Sequence, residues 1–331
     1  MLFRSPIGEG LAHKDETSKS DLPFLSNVHH SLPTMALTLA EAKKHSNNPQ
    51  ELAIITELAA GSLLQHMPFR EVQGNGLFWK REESLGDVGF RAFNEGYTES
   101  YATVKQHSEA LKLFGGDIKV DRAIVELEGP EARAYQIQSK TRAMRLSFEG
   151  LFINGDSNSN SAEFDGLARR LPSGSSQYVN NGGGALDLSA LDEAIDAVDA
   201  QGGQKYLVMS KSARRQLSRV ARTSVQIDIT KDEFGYQQLS YGGLPVLELD
   251  RDHQNVPILD GTPSDQSVYV VAFGNDLLTG LQNGGPQVRD LGESFDTPAL
   301  VTRVEWYCGM ALINGRAAAR LDNVDATASI A

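Results

Sequence analysis

Cysteine is nearly absent from this sequence: Cys308 stands alone among 331 residues. No intrachain disulfide can form, and no cysteine-built zinc site exists. That usage fits a chain made in a reducing compartment. Long apolar runs are missing as well. Nothing approaches the roughly 20 consecutive apolar residues that span a bilayer, and "MLFRSPIGEGLAHKDETSKS" lacks the apolar core of a secretory signal. The expectation is a soluble chain with no membrane partner, made in the cytoplasm. Positive charge is also in short supply. The formal net charge is −12 at pH 7, which argues against a surface devoted to nucleic-acid phosphates.

Catalytic signatures are scarce too. There is no G-x-S-x-G elbow, no G-x-x-x-x-G-K-[ST] phosphate loop and no H-E-x-x-H. "GNGLFW" at 74–79 lacks the third glycine of a dinucleotide fingerprint. No two of the seven histidines lie at the i, i+4 spacing of a helical metal pair. "DSNSNSAEFDGL" places Asp156, Asn158 and Asn160 like the first ligands of a calcium loop, but Ser161 and Leu167 fill the positions that need Gly and Glu. It reads as a polar turn. Cys308 falls on the apolar side of a strand beside Trp306, so it reads as a packed thiol. The expectation is no catalytic residue, no cofactor and no metal.

What is present is a globular composition, 40% hydrophobic and 22% charged. Residues 1–34 are polar, interrupted by Pro6, Pro23 and Pro33, and without a period. Alone such a stretch predicts disorder, so it reads as an arm ordered by a partner surface. Met35 could itself begin a protein, which makes the arm an extension. Residues 35–70 form an N-terminal helical segment, with a helix from an Asn48 cap through Pro49 to a stop at Gly61. "SLLQHMPFREV" then turns extended. Residues 71–104 read as strand, glycine-rich bend and strand. Arms of about ten residues reach ~33 Å, and such an isolated ribbon is marginal in water.

"DIKVDRAIVEL" alternates with period two and predicts a strand. Gly129 and Pro130 open the longest helix, 131–154, with Ala134, Ile137, Thr141, Met144, Phe148 and Leu151 on one stripe. At 1.5 Å per residue this spine is ~36 Å long. From Leu186 helices and strands alternate, which predicts a compact α/β unit. Near the C-terminal end, Val304, Trp306, Cys308, Met310 and Leu312 face one way while Arg303, Glu305 and Tyr307 face the other, giving a long half-buried strand.

Two surface features stand out. "GDVGFRAFNEGYTES" at 86–100 interleaves glycines with Phe90, Phe93 and Tyr97. It suits either a lid over a hydrolase pocket or a handle that grips another copy. "KSARRQLSRVAR" shows Arg215, Arg219 and Arg222, and "LSALDEAIDAVDA" shows Asp192, Glu193, Asp196 and Asp199. These are either two solvated faces or complementary charges on neighbouring subunits.

In order along the chain, "LLQHMPFREVQGNGLFWKRE", "VGFRAFNEG", "LKLFGGDIKVDRAI", "FEGLFINGD", "EFDGL", "DEFGYQQLSYGGLPV", "GLQNGGPQVRDLGE" and "TRVEWYCGMALINGRAAARL" resemble major capsid proteins of tailed double-stranded-DNA bacteriophages. The resemblance covers about Leu63 to Leu321. It implies an α+β chain with the Hong Kong 97-like fold: arm 1–34, N-terminal segment 35–70, extended loop 71–104, peripheral domain 105–185 with the spine helix, axial domain 186–284, and a return strand with C-terminal tail over 285–331. Phe90, Phe93 and Tyr97 would then bury against an adjacent subunit as the glycines let the loop bend. The function implied is self-assembly into hexamers and pentamers of an icosahedral head, a virion shell made in the host cytoplasm. The implied partners are other copies, portal, scaffolding and decoration proteins, and enclosed DNA bound without sequence specificity. An encapsulin-like cargo shell shares the fold and stays open, as does the lid-bearing hydrolase.

Overall fold

The computed structural model describes residues 56–328, except 59, 222–226, 232–236 and 263. All of these fall within the second of two units, Met35–Ala331. The arm 1–34, most of the helix expected from Asn48, and Arg222 lie outside the described residues.

The alternation in the last long segment organises the molecule. Strand β14 (Ala299–Leu312) turns Val304, Trp306, Cys308 and Met310 fully inward and leaves Arg303, Glu305 and Tyr307 half-buried. Along one side it pairs antiparallel with β4 (Lys112–Asp121), from Asp121↔Ala299 to Lys112↔Cys308. On the other it pairs with β13 (Gln287–Glu293) and β12 (Leu278–Gln282). The stretch "DIKVDRAIVEL" is therefore not one strand. Its alternation holds through Ile118 and Val120, then Asp121 accepts a hydrogen bond from the Ala123 amide at 2.8 Å and caps helix α2 (Arg122–Glu128). A short carboxylate offered to the next turn's amides outcompetes two more residues of ladder.

The extended reading of "SLLQHMPFREV" is corrected at its start. Ser62–His66 form a helical turn, α1, and only Phe69–Glu71 form a strand, β1, parallel to β12 with Phe69 opposite Gly280. A Cβ at Gly280 would overlap the Phe69 ring, so that close approach needs glycine.

The spine helix α3 spans Glu131–Asn154, the predicted bounds. Thr141, Met144 and Phe148 of the expected stripe are buried, and Ile137 and Leu151 are half-buried. Ala134 is exposed: the first turns stand away from the core, and burial shifts towards Phe152 and Ile153 at the other end. Phe148 meets Trp306 at 5.3 Å and Phe164 at 5.5 Å, while Trp306 meets Phe69 at 5.1 Å. These ring pairs join helix, β14 and β1 into one core.

The α/β part follows the predicted order: α5 (Leu188–Ala197), β6 (Gln204–Met209), α6 (Lys211–Ala221), β9 (Leu244–Glu248) and β11 (Asp265–Phe273). β6 lies between parallel β9 and antiparallel β11. The expected C-terminal tail contains a core strand instead. β15 (Ala318–Val324) pairs antiparallel with β11, burying Ala318, Ala319, Leu321 and Val324. Among the described residues thirteen strands join one sheet. That sheet runs without a break past residues 284 and 285, because β12 lies beside β14.

Candidate assembly surfaces

Two strands stay out of the large sheet. β2 (Gly76–Ser84) and β3 (Thr103–Ala110) pair only with each other, from Gly76↔Ala110 to Ser84↔Thr103. The two-stranded ribbon therefore spans Gly76–Ala110, shifted along the chain from the expected 71–104. Its outgoing strand starts at Gly76, since Glu71 is committed to β1, and its return strand reaches Ala110. The root is held by a small apolar cluster in which Leu77, Trp79, Leu111 and Ile313 pack on Val72, Leu281 and Ala311. Trp79 faces His107 across the ribbon, their rings stacked at 5.8 Å. Burial lowers the His107 pKa, and the Arg81 and Lys105 charges lower it further.

Beyond Ser84 and before Thr103 the chain has no helix or strand. Here Phe90, Phe93 and Tyr97 are 109%, 99% and 70% exposed. Leu85, Val88 and Tyr101 are exposed beside them. The Arg91 guanidinium lies 5.3 Å from the Tyr97 ring centre and donates to the Glu95 carbonyl at 3.2 Å. Of the residues in this tip, Asn94 takes the left-handed conformation, φ 68°, and Gly86, Gly89 and Gly96 do not. A Cβ on Gly89 or Gly96 would meet nothing. In this conformation Gly89 and Gly96 are not required by sterics.

Arg215 and Arg219 are exposed on α6, which buries Ala213, Gln216 and Leu217 on its other side. Neither arginine has an ion-pair partner among the described residues, whereas Arg214 pairs with Glu248 at 3.1 Å. On α5 Asp192, Glu193 and Asp196 are exposed, and Asp192 accepts from the Tyr241 hydroxyl at 3.0 Å.

A further apolar surface escaped sequence reasoning. Leu127 on α2, Leu291 near the end of β13 and Phe295 just beyond it are exposed, Phe295 at 103%. The Arg122 amide donates to Pro298 O at 2.9 Å, and its guanidinium lies 3.6 Å from Glu293. Phe295 stands between acidic and turn-forming residues in "GESFDTP", a lone ring in a polar stretch, and that was its only signal.

Polar side chains line the clefts among the described residues: Lys112, Glu163, Asp252 and His253 border one of about 390 Å³, and in another Arg320, Asp322 and Ser267 bond one another. A groove of about 690 Å³ beside the spine helix is lined by Tyr135, Ile137 and Val288, and its Arg133 is tied to Thr302 at 2.6 Å and Asp290 at 2.7 Å. The Cys308 thiol is fully buried, and burial pushes its pKa far up, which removes the thiolate needed of a nucleophile. Asp156 serves its own turn, accepting from the Asn158 amide at 3.0 Å and the Ser159 hydroxyl at 2.6 Å, and is paired with Arg169. Among the described residues no group of three His, Cys, Asp or Glu is placed to hold a metal. None of the described helices is long and apolar enough to cross a membrane.

Residues 79–191 match the model of the major capsid protein GP7 family. No curated protein matches the sequence. Several solved structures share the fold. The SrpI encapsulin of Synechococcus elongatus PCC 7942 has a TM-score of 0.62 at 18% identity, covering 88% of this chain and 97% of the encapsulin. A chain of Mycobacterium phage Bobi gives 0.58 at 13% identity, with 79% and 89% covered. The capsid of a native GTA particle gives 0.54 at 18% identity, with 80% and 90% covered. The chain has the Hong Kong 97-like fold, and with the match over residues 79–191 it is similar to the major capsid proteins of tailed double-stranded-DNA bacteriophages.

Proposed function

We propose that this chain is a major capsid protein that self-assembles into hexamers and pentamers of an icosahedral head around double-stranded DNA. The observation that carries the reading is the ribbon. It projects Phe90 and Phe93 with essentially their whole surface in water, on a chain whose remaining described strands join one sheet. Full burial of such a ring is worth about 1.5–3 kcal/mol, so a copy that covers both gains a handle of useful size. Many modest contacts of this kind add through closed geometry. The role is structural rather than catalytic. Phe90, Phe93 and Tyr97 grip the adjacent subunit, and Arg215, Arg219 and Arg222 set register against acidic faces such as that of α5. Portal, scaffolding and decoration proteins are the further partners, and the assembled product belongs to the virion after synthesis in the host cytoplasm. A net charge of −12 suits a container that must not bind its own contents tightly.

The likeness to an encapsulin favours one second reading, a shell for protein cargo. One experiment addresses both. The purified protein is examined by negative-stain electron microscopy with light scattering for mass, and the particles' ultraviolet absorbance is recorded when they are isolated from cells making their natural contents. Closed particles carrying nucleic acid support the capsid reading. Closed particles with a co-purifying enzyme support the cargo shell, and a stable monomer at high concentration with scaffold supplied overturns both.

A further inference from the structure

Four residues of the spine helix, Gln138, Arg142, Arg145 and Glu149, follow one another at spacings of four, three and four, so they form a single stripe. This polar stripe meets Glu57 and Gly61. Gln138 donates to Glu57 at 3.4 Å and Arg142 donates to it at 3.0 Å. Further along, a Cβ at Gly61 would overlap Glu149 Oε1 and crowd the Arg145 stem, so the backbone of Gly61 seals these two side chains in.

The two halves of the stripe differ in how they are satisfied. Glu57 serves Gln138 and Arg142. Arg145 Nε and Glu149 Oε1 are buried without a hydrogen-bond partner. Glu149 is only 6% exposed. An ionised carboxylate in a buried seat with Oε1 unpartnered is strongly disfavoured, and a neutral carboxyl much less so. Burial accordingly pushes the Glu149 carboxyl up to about 7, with the Arg145 charge pulling the other way.

Other charges face the helix: Asp252, beside Gly150, accepts from the Gln254 and Val256 amides at 2.8 Å, His253 lines the same cleft, and Lys140 reaches over Gly116. On the segment facing it, Glu57 is held by Arg142, and His66 stacks on Tyr206 at 5.1 Å. Among the other elements packed on the helix, Asp117 pairs with Arg303, Arg169 with Asp156 and Asp165, and Arg170 with Glu109.

We propose that Glu149 is a proton-controlled joint: with its carboxyl neutral, residues 57–66 lie closed on the spine helix, and ionisation opens that seam. The seam is where residues 1–55 connect to the described body. On the capsid reading above, the joint therefore makes the fit of this segment against the spine helix pH-dependent in each subunit of the shell.

The sign follows from linkage. The closed state binds the proton more tightly than the open one, so the proton's contribution to closure is fully present below the ordinary carboxyl value of 4.5 and is lost as pH rises to about 7. Hydrogen–deuterium exchange of residues 57–66 in the full chain, corrected for intrinsic rates, reads this directly. The opening equilibrium is expected to rise by up to about tenfold per pH unit between about pH 5 and pH 7 and then level off. Glu149→Gln, neutral at every pH, is expected to stay closed and flat. Gly61→Ala, which puts a methyl group into the seat, is expected to open at every pH. A flat profile in the unmodified chain, or a rising one in Glu149→Gln, overturns the joint. Particle formation is scored separately by light scattering. A titrating seam in a chain that never forms particles supports the joint and counts against the shell, and particles with a flat seam do the reverse.

Discussion

Trp306 is where strand, helix and neighbouring strand agree on one side chain. Its ring lies between Phe69 and Phe148, and its indole nitrogen donates to Gln282 Oε1 at 3.3 Å, so the buried polar atom is satisfied as well. Trp306→Ala removes the ring and leaves Gln282 Oε1 without its donor, while Gln282 Nε2 keeps Glu71. The expected cost is about 3–5 kcal/mol, measured as a shifted urea midpoint with an unchanged slope. Two residues along the same strand face, Cys308 gives a non-destructive report on the same core. Its thiol is buried and held protonated by desolvation. Native protein is expected to resist iodoacetamide at neutral pH and to label only as it unfolds, so labelling rate should track denaturant concentration. Rapid labelling of the folded chain contradicts this packing.

At the scale of elements, legibility depended on whether an element carried its own signals. The spine helix has an opening proline and an apolar stripe that persists for turns, and its bounds were readable. β14 alternates cleanly because one face is core and the other is not. β15 was not readable: "AARLDNV" is short and rich in small residues, and its partners, β11 on one side and Tyr178–Asn180 on the other, lie far away in sequence. α2 was misread because the alternation of Ile118 and Val120 was carried on past Asp121, which caps the helix instead, and no residue of that helix is buried. The ribbon was legible as a two-stranded loop but its root was not, since Leu77, Trp79 and Leu111 are held by Leu281, Ala311 and Ile313 from the far end of the chain. Phe90 and Phe93 make the element-scale prediction. Replacing both with Ser touches no contact within the subunit, so melting of the isolated chain should move by less than about 0.5 kcal/mol. Assembly should fail or yield fragile particles. Normal particles with unchanged melting remove the handle from the account. Reversal of Arg215 and Arg219 to Glu is expected to slow assembly and weaken its salt dependence, again with little change in subunit stability.

On the scale of the molecule, folding and assembly draw on different parts of one chain, and the two should separate on deletion. β15 lies inside the large sheet, so removing residues 318–331 uncovers β11 along Val268–Val271 and discards four buried side chains. Two deletions then make opposite predictions. The chain ending at Ala317 should lose its cooperative unfolding transition and with it any particles, because β11 keeps β6 on one side but loses its whole ladder on the other together with the apolar side chains that cover it. A chain in which residues 85–102 are replaced by Asn-Gly should keep that transition. Ser84 and Thr103 already face each other across the ribbon, and Asn-Gly closes an antiparallel pair with the twist such strands prefer. The shortened loop lowers closure entropy by a small amount, about 1–2 kcal/mol by length scaling, so melting should hold or rise slightly. It should form no stable shell, because the exposed rings and the bending segment are gone while the rest of the fold remains. Calorimetry of the two variants beside light scattering separates the cases. Were the tip-less chain to lose its cooperative transition, the ribbon would belong to the fold itself; were it to build normal particles, the subunits must be held by other surfaces, with the Leu127–Leu291–Phe295 face the next to alter.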